Sequence, residues 1–387
     1  MIAFFGDLAN QQSPPVLNVE FGQQMSVLNL EGPIHSDLLL AEQYPPKAGP
    51  RLKSNYKMLQ SFNRKSMNWV FSLANNHIFD YGKIGLTSTF DSLSMNDIGY
   101  CGAGISVDEA TRELNFEVDG VGLTLISCAD QGFGYSGYNR SGFALSGNWV
   151  QLKIVAAIEQ KRIPIVLYHG GVEDYSLPSP ITKDLFESWA DFGAKLIIGT
   201  HSHVPQPIVK YREAIICYGL GNFLVDPVDW PELSRTNLSS LCLLFNPLDM
   251  SCSIQQLQCS LNDYGAIEVN LKPFTEELNN RLKVAAEIVA DKSLHAAVWQ
   301  EMCMEIKSLW LRKHFVYSFI NEIVPPALRR IPYIGKFFKI PFALDSIAWS
   351  MHREMLITLS EMRNGIEPNQ RSPKSSEYWS VIKGKSN

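Results

Sequence analysis

The sequence lacks the short motifs of several large enzyme classes. It contains no G-x-S-x-G nucleophile elbow and no G-x-x-x-x-G-K-[ST] loop, so serine-hydrolase and P-loop chemistry lack their minimum parts. Residues 132–137 fit G-x-G-x-x-G after a predicted strand, but the residues that follow do not predict a helix. The context of a dinucleotide-binding site is therefore missing.

Paired cysteines, long apolar runs and an excess of basic residues are also missing. The seven cysteines include no C-x-x-C pair and lie mostly in apolar surroundings, which predicts buried free thiols. No stretch approaches the ~20 consecutive apolar residues of a membrane span. The net charge of -5 argues against a nucleic-acid partner. Because residues 1–5 lead directly into Gly6-Asp7, without room for a signal peptide, we expect a cytoplasmic protein.

Short apolar runs alternate with helix-period segments, and this order predicts an α/β fold. The predicted strands are 2–5, 27–30, 69–73, 123–128, 163–168 and 196–199. The predicted helices are 83–97, 149–160 and 181–192. From 208 to about 271 almost every run is typical of a strand, which predicts a second, antiparallel sheet.

The length and a change of pattern predict more than one domain. A chain of 387 residues exceeds the size at which a single core stops growing. Helical periodicity begins after 272, and the pattern turns polar after about 363. We therefore expect a main domain over 1–272, an α-helical C-terminal extension over 273–365 and a disordered tail over 366–387.

Side chains that can bind a metal follow the predicted strands. They are Asp7, Glu31, Asn76, His77, His169, His201 and His203. The remaining histidines, His35, His295, His314 and His352, lack this context and receive no role. Because loops at the ends of strands in layered α/β proteins meet at one rim, we expect the first group to converge. Imidazole, carboxylate and amide donors without thiolates predict a site for Mn, Fe or Zn.

These residues lie within a series of motifs that resembles a known family. In chain order the motifs are Gly6-Asp7, NLEGPI (29–34), PKAGPR (46–51), SLANNH (72–77), DYG (80–82), GAG (102–104), HGGVE (169–173), PSP (178–180), GTHSHV (199–204) and YGLGNF (218–223). Their order and spacing resemble the CapA or PgsA family of capsule and poly-gamma-glutamate synthesis proteins, a branch of the calcineurin-like metallophosphoesterases. The resemblance covers roughly the first 230 residues.

The resemblance implies a fold and a metal centre. The implied fold is a metallophosphoesterase-type β-sandwich of two mixed sheets flanked by helices, followed by the α-helical extension. The implied cofactor is one or two divalent ions, with Glu31 as the bridging carboxylate. The ligands implied for one ion are Asn76, His169 and His201, and those implied for the other are Asp7 and His203.

The resemblance also implies a function. A metal-dependent phosphoesterase or phosphatase would act in capsule, exopolysaccharide or poly-gamma-glutamate synthesis, through hydroxide activated by the metal. His77 would serve as general acid or transition-state stabiliser. The expected partners are a phosphorylated or polyanionic substrate and other capsule-synthesis proteins.

One departure from the wider fold leaves a second function open. Many metallophosphoesterases have Asp-x-His where this chain has Asp7-Leu8-Ala9, so one imidazole is missing. This loss should weaken the ion site of Asp7 and His203 more than the other site, unless Asn10 or Asn29 compensates. The alternative is a polymer-binding or assembly component of a capsule synthesis complex that hydrolyses nothing.

Further residues are candidates for binding substrate or a membrane. Lys47, Arg51 and Lys53 form a basic loop that can hold a phosphate or carboxylate, or can simply be solvated. Weaker candidates for substrate or ligand-supporting contacts are Glu173, Tyr218 and Asn222. Residues 328–339 mix bulky apolar and cationic side chains, a composition compatible with peripheral membrane contact or with packing on the protein.

Overall fold

The fold is mixed α/β, as the sequence predicts. A computed structural model describes residues 1–11, 14–35, 51–62, 68–225, 239–263 and 266–304, with Thr358 and Tyr378. The chain divides into two compact units, 1–287 and 288–387. The strands are β1 (Ile2–Ala9), β2 (Val16–Asn18), β3 (Met25–Leu30), β4 (Asn68–Ser72), β5 (Gly99–Cys101), β6 (Ala103–Gly104), β7 (Leu114–Val118), β8 (Val121–Ala129), β9 (Gly142–Phe143), β10 (Ile163–His169), β11 (Leu196–Thr200), β12 (Ile208–Tyr211), β13 (Ala214–Cys217), β14 (Asn222–Val225), β15 (Ser239–Asn246), β16 (Ser251–Leu261) and β17 (Ile267–Lys272).

The helices agree with the periodicity of the sequence. They are α1 (Gly82–Met95), α2 (Val107–Ala110), α3 (Trp149–Glu159), α4 (Pro180–Asp191) and α5 (Glu276–Ala290), with a 3-10 turn at Tyr56–Ser61. The start of α4 illustrates the local cause, because Pro180 occupies its first turn and Ser179 Oγ accepts a hydrogen bond from the Thr182 amide at 3.0 Å. Residues 292–304 are also helical.

The larger sheet has the strand order β2-β17-β16-β15-β1-β3-β4-β5, and β14 also pairs with β1. Strands β1, β3, β4 and β5 are parallel to their neighbours in this run, whereas β15 is antiparallel to β1. The carboxyl ends of β1, β3 and β4 therefore lie at one edge, where Glu31 follows β3 and Asn76 follows β4. Asp7, which the sequence predicts after the first strand, lies inside β1 because this strand continues to Ala9.

The smaller sheet has the order β12-β13-β11-β10-β8-β7, with β8, β10, β11 and β13 parallel. The prediction of a separate antiparallel sheet after 208 is wrong. Strands β12 and β13 extend this smaller sheet, while β14 to β17 join the larger one. Strand patterns report burial on each face, but they do not name the partner strand, which tertiary packing selects.

Strand β1 supplies side chains to two hydrophobic cores. Ile2 and Phe4 pack with residues of β8, β10 and β11, such as Leu125, so this core lies between the two large sheets. Ala3 and Phe5 pack on the opposite face of the larger sheet, in a core that includes Leu86 and Leu93 of α1. The period of two along a strand explains this alternation. The packing fits a sandwich, and its assignment to the metallophosphoesterase type stays a prediction.

The predicted domain limits, 1–272, 273–365 and 366–387, also stay predictions. The described part of the extension is helical over 276–290 and 292–304, and residues 328–339 lie outside the described residues. None of the helices described is both long and apolar enough to cross a bilayer. All seven cysteines are free, and five of them are buried, which agrees with the expected free thiols.

Candidate metal centre

The two large sheets bring the predicted ligands together at their strand ends. His169 is the last residue of β10, and its register partner on β11 is Thr200, which directly precedes the His201 turn. Glu31 directly follows β3, and its amide donates to the Leu8 carbonyl of β1 at 2.9 Å. The buried members of the cluster are Asp7, Glu31, His169, His201 and His203.

Asp7 lies at an irregularity in β1. The pairing of β1 shifts register next to Asp7 both toward β3 and toward β14, and such shifts commonly redirect a side chain. The preceding residue must be glycine, because a Cβ on Gly6 would lie 1.6 Å from the Gly221 carbonyl oxygen. Asp7 Oδ2 accepts a hydrogen bond from the His201 amide at 2.9 Å, and Oδ1 accepts one from Asn29 Nδ2 at 2.7 Å.

These contacts keep Asp7 ionised. Burial alone would raise its pKa, but the hydrogen bond and charge of His169, the charge of His203 and the His201 amide together lower the pKa to about 2. A buried carboxylate held in this state is suited to a cation.

Glu31 lies between two groups of possible ligands. Its Oε1 is 3.7 Å from His169 Nε2, and its Oε2 is 4.0 Å from His203 Nδ1. One group consists of Glu31, His169 and His201, and the other of Asp7, Glu31 and His203, with ligand atoms inside each group within 4.8 Å of one another. Only Glu31 belongs to both of these groups, which is the arrangement expected of a bridging carboxylate.

His201 and His203 are held in a turn of unusual backbone geometry. Their φ angles are +84° and +57°, in the left-handed region that few residues other than glycine enter. Burial and the charge of His169 lower the pKa of His201 to about 4 despite the opposing charge of Glu173, so this imidazole is neutral at pH 7. Burial also acts against protonation of His203, but Glu31, Asp7 and Glu173 raise its pKa to about 9.

Glu173 is closer to the metal centre than its assignment to substrate binding suggests. Its Oε1 lies 3.4 Å from His201 Nε2, and with His201 and His203 it forms a third possible ligand group. Burial would raise the pKa of Glu173, but the charges of His201 and His203 lower it. The HGGVE motif places this carboxylate four residues after His169, beyond the end of β10.

Two amides support His169. Asn76 Oδ1 lies 2.9 Å from His169 Nε2, next to the ligand group of His201. Asn29 Nδ2 lies 3.1 Å from His169 Nδ1 and also donates to Asp7, so Asn29 connects the two sheets. From the sequence, Asn29 was considered only as a compensating ligand. The available signal was an amide side chain inside a buried strand, β3.

His77 is paired with a carboxylate that sequence reasoning gave no role. His77 Nδ1 lies 2.7 Å from Oδ2 of the fully buried Asp80, three residues later in the same turn. The same oxygen accepts a hydrogen bond from the Leu52 amide at 2.8 Å. Asp80 thereby holds the ring of His77 in one orientation. The sequence signal for this role is an aspartate three residues after the histidine of the Asn-His pair.

The predicted substrate residues are not all in one place. Arg51 donates to the backbone carbonyl of Asp80, and Asn222 Oδ1 lies 2.9 Å from His203 Nδ1. Lys53 lines a pocket near the end of β1, whereas Lys47 lies outside the described residues. Tyr218 is not brought to the histidines, because its ring stacks on Phe186 of α4 with centroids 5.4 Å apart.

The donor set fits a divalent ion such as Mn, Fe or Zn. Three imidazoles, carboxylates and an amide oxygen converge, and no thiol belongs to any ligand group found in the described part of the chain. His201 Nδ1 is buried and has no hydrogen-bond partner among the described residues, as expected for an atom that awaits a ligand. These residue groups could therefore hold a metal ion.

Comparison with known proteins gives consistent results. The "PGA biosynthesis protein CapA" of Bacillus subtilis is 32% identical over 168 residues, 42% of this chain and 44% of that protein. The "Capsule biosynthesis protein CapA" of Bacillus anthracis is 30% identical over 264 residues, 64% of this chain and 59% of that protein. A "Probable polyglutamine synthesis accessory protein" of Mycobacterium tuberculosis is 32% identical over 171 residues, 41% of this chain and 45% of that protein. The chain thus spans about half the length of the relatives it matches.

A family model also matches this chain. The model described as "Bacterial capsule synthesis protein PGA_cap" matches residues 13–227, more than half of the chain, and this range includes all the candidate ligands except Asp7. The chain belongs to this family of bacterial capsule synthesis proteins.

Proposed function

We propose that this protein is a metal-dependent phosphoester hydrolase that contributes to the synthesis of an extracellular capsule or poly-glutamate polymer. The observation that supports hydrolysis is the position of Glu31, shared by two groups of possible metal ligands. The role in capsule synthesis comes from the names of the relatives, two of which are called capsule or PGA biosynthesis proteins.

The chain's own residues supply the remaining parts of such a site. Bound divalent ions would neutralise phosphoryl oxygens and make water more acidic. Asp7, ionised above about pH 2, and neutral His201 are both in the protonation states that bind cations at pH 7. Asp80 orients the ring of His77 through its contact with Nδ1, and the imidazole would exchange a proton with a leaving oxygen.

A second candidate function is a non-hydrolytic component that binds polymer or partner proteins. It is favoured by Ala9, buried at the end of β1 where the wider fold has an imidazole. With Ala9 in place, the group of Asp7, Glu31 and His203 contains only one imidazole. Weak binding at this half would leave one ion and a site poorly suited to hydrolysis.

Metal analysis and turnover distinguish the two candidates. The purified full chain is loaded with Mn(II), its metal content is measured by mass spectrometry, and release of phosphate or alcohol is followed from phosphomonoesters, phosphodiesters and nucleotide sugars. We expect turnover that His77→Ala abolishes without loss of metal and that Asn76→Ala weakens together with metal content. His295→Gln, at a buried histidine outside the ligand groups, is the matched control. Folded, metal-loaded protein that acts on none of these substrates would reject the hydrolase.

A further inference from the structure

A pocket of about 290 Å³ is lined by Gln11, two residues beyond the end of β1. Its described lining comprises Gln11, His35, Lys53, Ser54, Asn55, Tyr56 and Lys57. Two of these side chains are cationic, and none of the described lining residues is Asp or Glu. The described lining is therefore polar and includes two cationic side chains.

Backbone hydrogen bonds attach this pocket to the strands that carry the ligands. The Ser54 amide donates to the Pro33 carbonyl at 2.8 Å, and the His35 amide donates to the Ser54 carbonyl at 3.2 Å. The Asn10 amide donates to Ser54 Oγ at 3.1 Å, and the Asn55 amide donates to the Asn10 carbonyl at 2.8 Å. The lysine-bearing segment is thus fixed to the chain immediately beyond both β1 and β3.

The pocket lies at a distance that one extended molecule can cover. Asn10 follows Asp7 by three residues, which corresponds to about 10 Å of strand. Arg51, two residues before Lys53, donates to the Asp80 carbonyl beside His77. Cationic side chains at 51, 53 and 57 therefore extend from the His77 turn to the pocket.

We propose that the pocket binds an anionic group of an oligomeric substrate while another part of the same molecule occupies the metal centre. The ligand class is a polyanion with repeated carboxylate or phosphate groups, because ammonium groups attract both without the bidentate geometry that arginine imposes. The contact between this molecule and the metal centre rests on the proposed function. The pocket itself selects chain-like anionic substrates over small ones.

The test measures binding of two fluorescent oligomers, an oligoglutamate and a polyphosphate of similar charge, to the full Mn(II)-loaded chain. We expect the double variant Lys53→Ala/Lys57→Ala to raise Kd about tenfold for the preferred oligomer. Affinity should also fall with added salt, because screening shortens the reach of these charges. Lys210→Ala, at an exposed lysine on β12, should leave Kd unchanged. The oligomer that loses more affinity identifies the source of the anionic groups.

Two outcomes would overturn the proposal: equal Kd values for the double variant and the wild-type chain with both oligomers, or an equal loss in Lys210→Ala. Metal content is measured in every variant and should not change with the lysines. If the wild-type chain holds no metal and hydrolyses nothing but still binds an oligomer through Lys53 and Lys57, the proposed hydrolase fails and the pocket stands. If metal and turnover are present while the lysines do not matter, the pocket fails alone.

Discussion

Replacing Asp80 by asparagine or by alanine separates its effect on stability from its effect on His77. Oδ2 of this buried carboxylate accepts from the Leu52 amide at 2.8 Å and lies 2.7 Å from His77 Nδ1. Alanine removes the acceptor from both groups, and a buried polar group left without its partner costs about 1–3 kcal/mol. Two such losses of about 2 kcal/mol each give about 4 kcal/mol. At about 2 °C per kcal/mol for a unit of this size, Tm should fall by about 8 °C.

Asparagine should behave differently, because its carbonyl oxygen can take the place of Oδ2 and accept both hydrogen bonds. We expect a loss of at most about 1 kcal/mol, or about 2 °C in Tm. Turnover should nevertheless fall roughly 10–100-fold, since the amide cannot stabilise a charged imidazole as a carboxylate does. The assays are calorimetric unfolding and phosphoester turnover, with Asp91→Asn, at an exposed aspartate of α1, as control. An asparagine variant that unfolds as early as the alanine variant, or that keeps full turnover, would refute this account of Asp80.

Three further predictions concern the metal centre and β1. Glu31→Gln should reduce the metal bound per chain, measured by mass spectrometry, from two ions to one or none. The control Glu117→Gln, exposed on β7, should bind as much metal as the wild-type chain. Unchanged metal content in Glu31→Gln would exclude a bridging role. The raised pKa of His203, about 9, keeps this imidazole protonated at pH 7, so a metal ion that binds there should displace about one proton. Calorimetric titration with metal in two buffers of different ionisation enthalpy measures this proton release, which should vanish above about pH 10. Gly6→Ala should lower the free energy of chemical unfolding by more than about 3 kcal/mol, because the added methyl group clashes with Gly221. Gly147→Ala should lower it little, since a Cβ there has space. Similar losses in the two variants would show that β1 moves to accommodate the methyl group.

The sequence predicts the parts of this fold that depend on local pattern. Apolar runs locate β1, β3, β10 and β11, and the ligands that follow them converge because parallel strands end at one edge of a sheet. Strands β15 to β17 are equally visible as strands, but the pairing of β15 with β1 is not. That choice depends on complementary surfaces far apart in the chain, which no single segment encodes.

The candidate site, too, is only partly predictable from the sequence. Asp7, Glu31, His169, His201 and His203 are found from residue type and position after a strand, whereas the contact between His201 and Glu173 depends on where two loops meet. Tyr218 belongs to a motif that includes Asn222, yet only Asn222 contacts a histidine. Tyr218 directly follows β13 of the smaller sheet, whereas Asn222 begins β14 of the larger sheet, so membership of a motif does not locate a side chain.

The register shift of β1 at Asp7 has a consequence for how this protein can change. The strand alternates between two cores from Ile2 to Phe5 and then breaks that alternation at the residue that binds His201. Inserting or deleting one residue between Phe5 and Asp7 would exchange the sides of Ile2 and Phe4 with those of Ala3 and Phe5. We therefore expect natural or engineered insertions and deletions in the loops, whereas within β1 only substitutions preserve both the cores and the site.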